Sequence, residues 1–438
     1  MAKQRREASP QRAATGGGRG KPRVLYAPRD IAGQPSEWAK ALRAQGVDAQ
    51  VWSFGEPAFG LRPDREWDQD RLLADPGYRW QALDEAVRGF DVFHFQYGRG
   101  LLDAKEPVLP ELWDLPLLRS LGKRVYMHWH GSDVRLPSVH AEREPDSYLA
   151  GATVDEEAIL ARVSVARRYC DAMFVSTAGL PDYVPDAELV PLALDVAAWR
   201  TPRGAEPAVP VVVHLPSRRS TKGSDLVDAA LRPLHDEGVI VYRPLSGLTR
   251  EQVKAEFAEA DIVVDSLTIG DHGVVSCEAM ASGAIAVAHV HERVRAREAM
   301  PGTPVPELPI VEATGATLGE TVRKLAADPA ERARLRAEGL TWVTQRHDSS
   351  VVAAQLLEAY TRPRGRVVSA YPEWPESTGK KRVRELEAEI ERLRAQLGPN
   401  GEPLPGLTRR DRLEARPGLH LAVRRADRAY RGLRKKLK

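Results

Sequence analysis

Cysteine is almost missing from this chain. Among 438 residues only Cys170 and Cys277 occur, 107 positions apart and outside any CxxC spacing, which predicts neither a disulfide framework nor a structural zinc site. Long apolar runs are missing too. No stretch approaches the roughly 18 uninterrupted apolar residues that a membrane-spanning helix needs, so an integral membrane protein is not expected. The first 22 residues carry Lys3, Arg5, Arg6, Arg12, Arg19 and Lys21 without an apolar core; this is unlike a secretory signal and predicts a cytoplasmic protein. Lysine is scarce, 13 against 51 arginines, so a lone lysine in a glycine-bearing loop is a hint of specific use.

What is present suits two full-sized domains with appendages, and a hydrophobic content of 42% is enough for buried cores. The formal charge of +3 is unevenly spread: residues 1–23 carry +6 and residues 380–438 carry +10, which leaves −13 on the stretch between. An acidic body does not coat nucleic acid, because neutralising phosphates takes a basic face. No nucleic-acid partner is expected. The charged ends read equally well as solvated, disordered segments.

From Arg23 onward short apolar runs alternate with helical stretches, the pattern of parallel sheets covered by helices. Strands are predicted at 24–27, 49–53, 92–96, 124–128 and 172–176, with Pro57 to Pro76 as an insertion beside the carboxyl edge of the sheet. A loop with Pro202, Gly204, Pro207 and Pro210 then separates a second series, with strands at 211–215, 239–243, 262–265, 285–288 and 310–312. The expected fold is α/β: two Rossmann-like, doubly wound parallel-sheet domains facing a cleft, followed by a helical C-terminal extension. The divisions are a basic tail (1–22), a first domain (23–200), a second domain with closing helices (201–362), a linker (363–379), a short coiled coil (380–397), a second linker (398–418) and a basic amphipathic helix (419–438).

The coiled coil rests on Val383, Leu386, Ile390, Leu393 and Leu397 at alternating spacings of three and four. So short a helix is marginal alone, which points to a homo-oligomer or to packing on the body. The amphipathic stripe Leu419, Val423, Ala426, Tyr430, Leu433 and Leu437 is flanked by eight Lys/Arg and one acid. It fits peripheral contact with an anionic membrane face, or a partner helix.

Ligands of open α/β sheets bind outside the carboxyl ends of the strands. Two segments there carry chemistry. His214-Leu-Pro-Ser-Arg-Arg-Ser-Thr-Lys222-Gly223 runs from a strand through a loop into a helix, where amides and dipole favour an anion and Arg218 and Lys222 add charge for a diphosphate. Gly270-Asp-His-Gly273-Val-Val-Ser-Cys-Glu278 follows another strand; Gly273, Val274 and Val275 bring backbone close to a phosphate, and Glu278 suits the vicinal hydroxyls of a ribose. Taken singly, each also fits an ordinary solvated loop or a helix whose first-turn acid answers the dipole.

Together these segments resemble the donor half of a GT-B glycosyltransferase, of the retaining family 4 type, and the resemblance covers about residues 23–362. It implies that Lys222 contacts the diphosphate and Glu278 the nucleotide ribose. The chain departs from the pattern twice. The first Glu of the E-x7-E motif falls on Gly270, with Asp271 beside it as a substitute at the reacting centre, and the usual arginine falls on Ser217, with Arg218 next to it. In the first half, Val125-Tyr-Met-His128-Trp-His130-Gly131-Ser132-Asp133 is similar to the family's His-Gly-(Ser/Thr)-Asp segment, which implies that His130 lies beside the donor sugar. His94, Asp133 and Gly33 are the candidates for the acceptor side.

The resemblance implies transfer of a hexose from a nucleoside diphosphate sugar to an acceptor hydroxyl, with retention, by a front-face route. It implies neither metal nor cofactor, the diphosphate being stabilised by Lys, Arg and helix amides. The acceptor is expected to be a glycan or lipid-linked glycan, met by the loops at 57–76 and 99–116. Two alternatives stay open: a nucleotide-sugar epimerase, and a non-catalytic scaffold acting through its coiled coil and basic tail.

Overall fold

The computed structural model describes residues 21–30, 33–55, 61–101 and 111–364. The basic tail up to residue 20, most of the first linker, the coiled coil at 380–397, the second linker and the amphipathic helix at 419–438 lie outside the described residues. Among the described residues no helix is long and apolar enough to cross a membrane.

The first sheet has seven strands: β1 (Val24–Ala27), β2 (Ala49–Phe54), β3 (Arg65–Trp67), β4 (Val92–Gln96), β5 (Arg124–Trp129), β6 (Ala172–Val175) and β7 (Glu188–Leu189). Their order is β3-β2-β1-β4-β5-β6-β7, and every pairing is parallel. The second sheet comprises β8 (Val211–His214), β9 (Val241–Pro244), β10 (Ile262–Val264), β11 (Ile285–Ala288) and β12 (Val311–Glu312) in the parallel order β12-β11-β10-β8-β9. Winding reverses between β1 and β4 in one sheet and between β8 and β10 in the other, so each has a switch point where a crevice opens.

The apolar runs form central strands because both of their faces are covered. On β1, Leu25 and Ala27 enter one hydrophobic cluster while Val24 and Tyr26 enter another. The second sheet repeats this arrangement: Val213 and Val263 face one cluster, and Val212, Ile262 and Val264 the opposite one. Alternation of side chains along a strand thus builds two cores per sheet.

Two expectations need correction. The stretch 57–76 is not merely an insertion: Arg65–Trp67 adds an edge strand to β2, Asp68 caps the helix Gln69–Ala74, and Pro76 opens the helix Pro76–Gly89. Trp67 anchors the edge strand, buried against Trp52 and stacked on Phe54. The last helix, Ser349–Thr361, falls within the predicted second domain but packs on the first. Its Val352, Leu356 and Tyr360 share a core with Tyr26 and Trp38, and the Tyr360 hydroxyl lies 3.0 Å from that of Tyr26. An apolar stripe at helical spacing marks a buried face without saying which sheet it covers.

Candidate functional site

The loop after β8 condenses into one short helix, Arg219–Lys222, ended by Gly223 in the left-handed region at φ 69°. Glycine is needed there for space as well, since a Cβ would sit 2.8 Å from Thr268 Cγ2. The following helix, Ser224–Asp236, is pinned by His214, whose Nδ1 donates to the Val264 carbonyl (2.8 Å) and whose Nε2 accepts from Ser224 Oγ (2.8 Å).

Lys222 is buried and forms an ion pair with Asp265, the residue just past β10. The other oxygen of Asp265 accepts from the Gly273 amide (3.2 Å) and Ser276 Oγ (2.8 Å). Burial works against this carboxylate, but the Lys222 charge and these hydrogen bonds hold it below the usual range. One carboxylate therefore ties the Lys222 loop to the start of the helix Val274–Ala281. Val274 and Val275 stand half-buried in that first turn, where amide groups lack partners within the helix. Arg218 is exposed at the mouth of the loop.

Glu278 is buried one turn further along, and burial pushes its carboxyl up to about 8, opposed chiefly by Arg250. Arg250 begins the helix Arg250–Glu259, fixed by the Thr249–Gln252 capping box. It reaches Glu37 of the first half at 3.2 Å, and its guanidinium lies 2.7 Å from where a Cβ on Gly33 would be. Gly33, Glu37, Arg250 and Glu278 thus meet across the cleft.

His130, just after β5, donates from Nε2 to Gln96 Oε1 (2.6 Å) and stacks on His128 at 4.7 Å. Burial pushes its imidazole down to about 3, so the ring is neutral. Asp133 accepts from the amides of His130 (3.1 Å) and Gly131 (2.6 Å), so its carboxylate shapes the loop that presents His130. His94 does not reach the cleft. It is a fully buried residue of β4, its Nδ1 2.5 Å from the Tyr360 hydroxyl and its ring stacked on Trp38. The strand period explains this: the side chain joins the core shared with the last helix, away from the open end.

Asp271 is also engaged. Its oxygens take Thr177 Oγ1 (2.5 Å) and the amides of Gly179 (3.2 Å) and His272 (2.9 Å), with Arg135 at 3.5 Å. It links the two halves, and burial raises its carboxyl against the opposing charges of His272 and Arg135. The space in front of Gly270 belongs to Glu144, which no sequence signal singled out: a Cβ at 270 would collide with its carboxylate. Glu144 in turn accepts from His289 Nε2 at 2.9 Å. Arg135, Arg143, Glu144, Asp182, Gly270 and Asp271 help to line a pocket between the halves.

No protein-family model matches the sequence, and no curated protein matches it either. Solved structures do match the fold. HepE of Anabaena, solved with UDP and glucose, aligns with a TM-score of 0.52 at 14% identity, covering 77% of this chain and 98% of HepE. An α-glucosyltransferase solved with UDP and a 13-mer DNA containing an HMU base gives 0.50 at 12% identity, covering 78% and 100%. The chain has the GT-B fold. Within this GT-B frame the Lys222 and Gly273 segments lie at the switch point of the second sheet, and the His130 loop lies at the strand ends of the first. Asp265 could have been flagged in the sequence as an acid ending a strand at a switch point. Glu144 and Arg250 carry no local signal at all.

Proposed function

We propose that this GT-B chain is a glycosyltransferase that moves a hexose from a nucleoside diphosphate sugar to an acceptor hydroxyl. The observation that carries the reading is the Lys222–Asp265–Gly273 knot, which gathers an ammonium group, a close-approach backbone and the first turn of the Glu278 helix at one strand end. Lys222, Gly223 and Arg218 are assigned to the diphosphate, Gly273, Val274 and Val275 to close backbone contact, and Glu278 to the ribose.

In this reading the leaving diphosphate is stabilised by Lys222, Arg218 and first-turn amides, with no metal at the phosphates. Neutral His130 hydrogen-bonds the sugar or the charge that develops on it. No enzymic nucleophile is assigned, and a front-face route with retention follows. Gly33 and the loops around 57–76 and 99–116 are assigned to a glycan or lipid-linked acceptor. Cytoplasmic placement, membrane contact through 419–438 and self-association through 380–397 belong to the same proposal.

The test is calorimetric titration with UDP, GDP and their hexose conjugates, on the parent and on Lys222→Ala and Glu278→Ala. The charge-assisted Lys222 contact is worth about 1.5 to 3 kcal/mol, or roughly ten-fold or more in affinity, and the Glu278 contact, from a carboxyl raised to about 8, about 0.5 to 1.5 kcal/mol. Binding of one nucleotide family, weakened by both changes, supports the reading. Failure of every nucleotide to bind the folded chain would refute it and leave the scaffold alternative. Inversion at the anomeric carbon of the product would refute the front-face route alone.

A further inference from the structure

Three buried side chains from two distant stretches converge beside the loop just described. His272 and Cys277 flank the start of the helix Val274–Ala281, and His347 ends the helix Pro329–His347. All three are essentially inaccessible, at 2%, 1% and 0% exposure. Each offers one ligand atom, and these atoms lie within 4.8 Å of one another. His272 Nδ1 is 3.9 Å from Cys277 Sγ.

The surroundings fix which nitrogen of each ring is available. His272 Nε2 faces Glu298 Oε1 at 3.3 Å, and Arg346 holds that carboxylate from its other oxygen at 3.0 Å. A carboxylate only accepts, so Nε2 carries a hydrogen, and Nδ1 is the nitrogen turned toward the sulfur. His347 Nδ1 donates to the Leu192 carbonyl at 2.7 Å, which leaves Nε2 with a lone pair; that atom is buried and has no hydrogen-bond partner. His347 Nε2 is thus an orphaned buried acceptor, at a cost on the order of 1–3 kcal/mol.

We infer that His272, Cys277 and His347 bind a thiophilic divalent cation, zinc by the chemistry of the donor set. Two imidazoles and a thiolate suit zinc and do not suit magnesium or calcium. A tetrahedral ion with bonds of about 2.3 Å to sulfur and 2.0–2.1 Å to nitrogen separates S from N by roughly 3.5 Å, so the cluster needs to close by only a few tenths of an ångström at its measured edge. Glu298 and the Leu192 carbonyl occupy the outer positions that orient ligating imidazoles. Binding exchanges the thiol proton for the cation and releases that proton to solvent. The ion would brace the loop that carries Gly273 and Glu278 against the helix Pro329–His347. This inference stands apart from the nucleotide reading, since its test reads metal alone.

The test uses the full chain, stripped by a chelator and titrated with Co2+ as a spectroscopic probe for zinc. One equivalent is expected to produce thiolate-to-cobalt charge transfer in the near ultraviolet and the visible bands of a tetrahedral ion, both abolished by one equivalent of Zn2+. Cys277→Ser removes the charge-transfer band, whereas Cys170→Ser keeps it. His347→Gln, which preserves size and polarity, weakens Zn2+ binding by about ten-fold or more and guards against a folding defect in Cys277→Ser. Zn2+ is expected to raise the thermal midpoint of the parent and to leave that of Cys277→Ser unmoved. Absence of Co2+ uptake by the folded parent, or a charge-transfer band that survives Cys277→Ser, would overturn the site.

Discussion

The carboxylate of Glu144 fills the space in front of Gly270, so a residue of the first half closes over a loop of the second. Gly270 is in the left-handed region at φ 69°, where any side chain costs about 1–2 kcal/mol. Gly270→Ala is therefore expected to lower stability by that strain plus the cost of displacing Glu144. Made in a Glu144→Ala background, the same change retains the strain and loses the collision. Chemical denaturation of the parent and the three variants measures the difference, and an equal cost in both backgrounds would show that Glu144 does not abut Gly270.

The Lys222–Asp265 pair makes a second prediction and complicates the obvious test of donor binding. Removing one member of a buried pair leaves an uncompensated charge, at about 3–5 kcal/mol. Lys222→Ala is thus expected to lose both nucleotide affinity and stability, because Asp265, at 2% exposure, loses the charge that offsets its burial. Lys222→Ala with Asp265→Asn should recover most of the stability without recovering affinity. Thermal melts alongside calorimetry separate the two effects, and recovery of binding by the double variant would remove Lys222 from the phosphate site.

The sequence made the sheets legible because their strands are continuous apolar runs, and it made the donor loops legible because their glycines and charges are local. It did not reveal contacts assembled from distant positions. His94 lies within its strand and His130 just past the next one, yet only the fold shows Tyr360, more than 260 residues away, sealing His94 into a core. The destination of the last helix was hidden for the same reason. Cys277 carries no zinc spacing because its neighbours in space are His272, five residues before it, and His347, seventy after it. Asp271 stands beside Gly270 in the sequence, whereas the carboxylate that fills the space in front of Gly270 is that of Glu144.

His289 sits between two carboxylates, Glu144 at 2.9 Å and Glu312 at 2.6 Å, and Arg295 also holds Glu312. Hydrogen bonds to Glu144 and then Glu312 raise its imidazole to about 9. A histidine raised above its unfolded value of about 6.5 contributes stability that is fully present below that value and is lost as pH rises through the folded one. The parent should therefore lose stability between about pH 6.5 and 9. His289→Gln should be less stable at the acid end, with the two curves converging near pH 9. Denaturant midpoints across that range check this, and parallel curves would mean that His289 is not charged in the folded protein.

His130 gives the reverse case, a ring kept neutral by burial and by a neutral partner. Because it donates to Gln96 Oε1 and has its imidazole pushed down to about 3, it serves the proposed transfer as a hydrogen-bonding group and not as an acid or base that switches near neutrality. The pH profile of kcat/KM between 5 and 8 should then show no ionisation that His130→Gln removes. Gln96→Glu places a carboxylate where the amide oxygen now accepts; an opposite charge at that distance raises a pKa by about 1–3 units. This should introduce a new inflection at about pH 4–6 assignable to His130, read in a profile extended down to about pH 4. An inflection near 6.5 in the parent that disappears in His130→Gln would mean that the ring is charged in the working enzyme, and the neutral role assigned to it would fail.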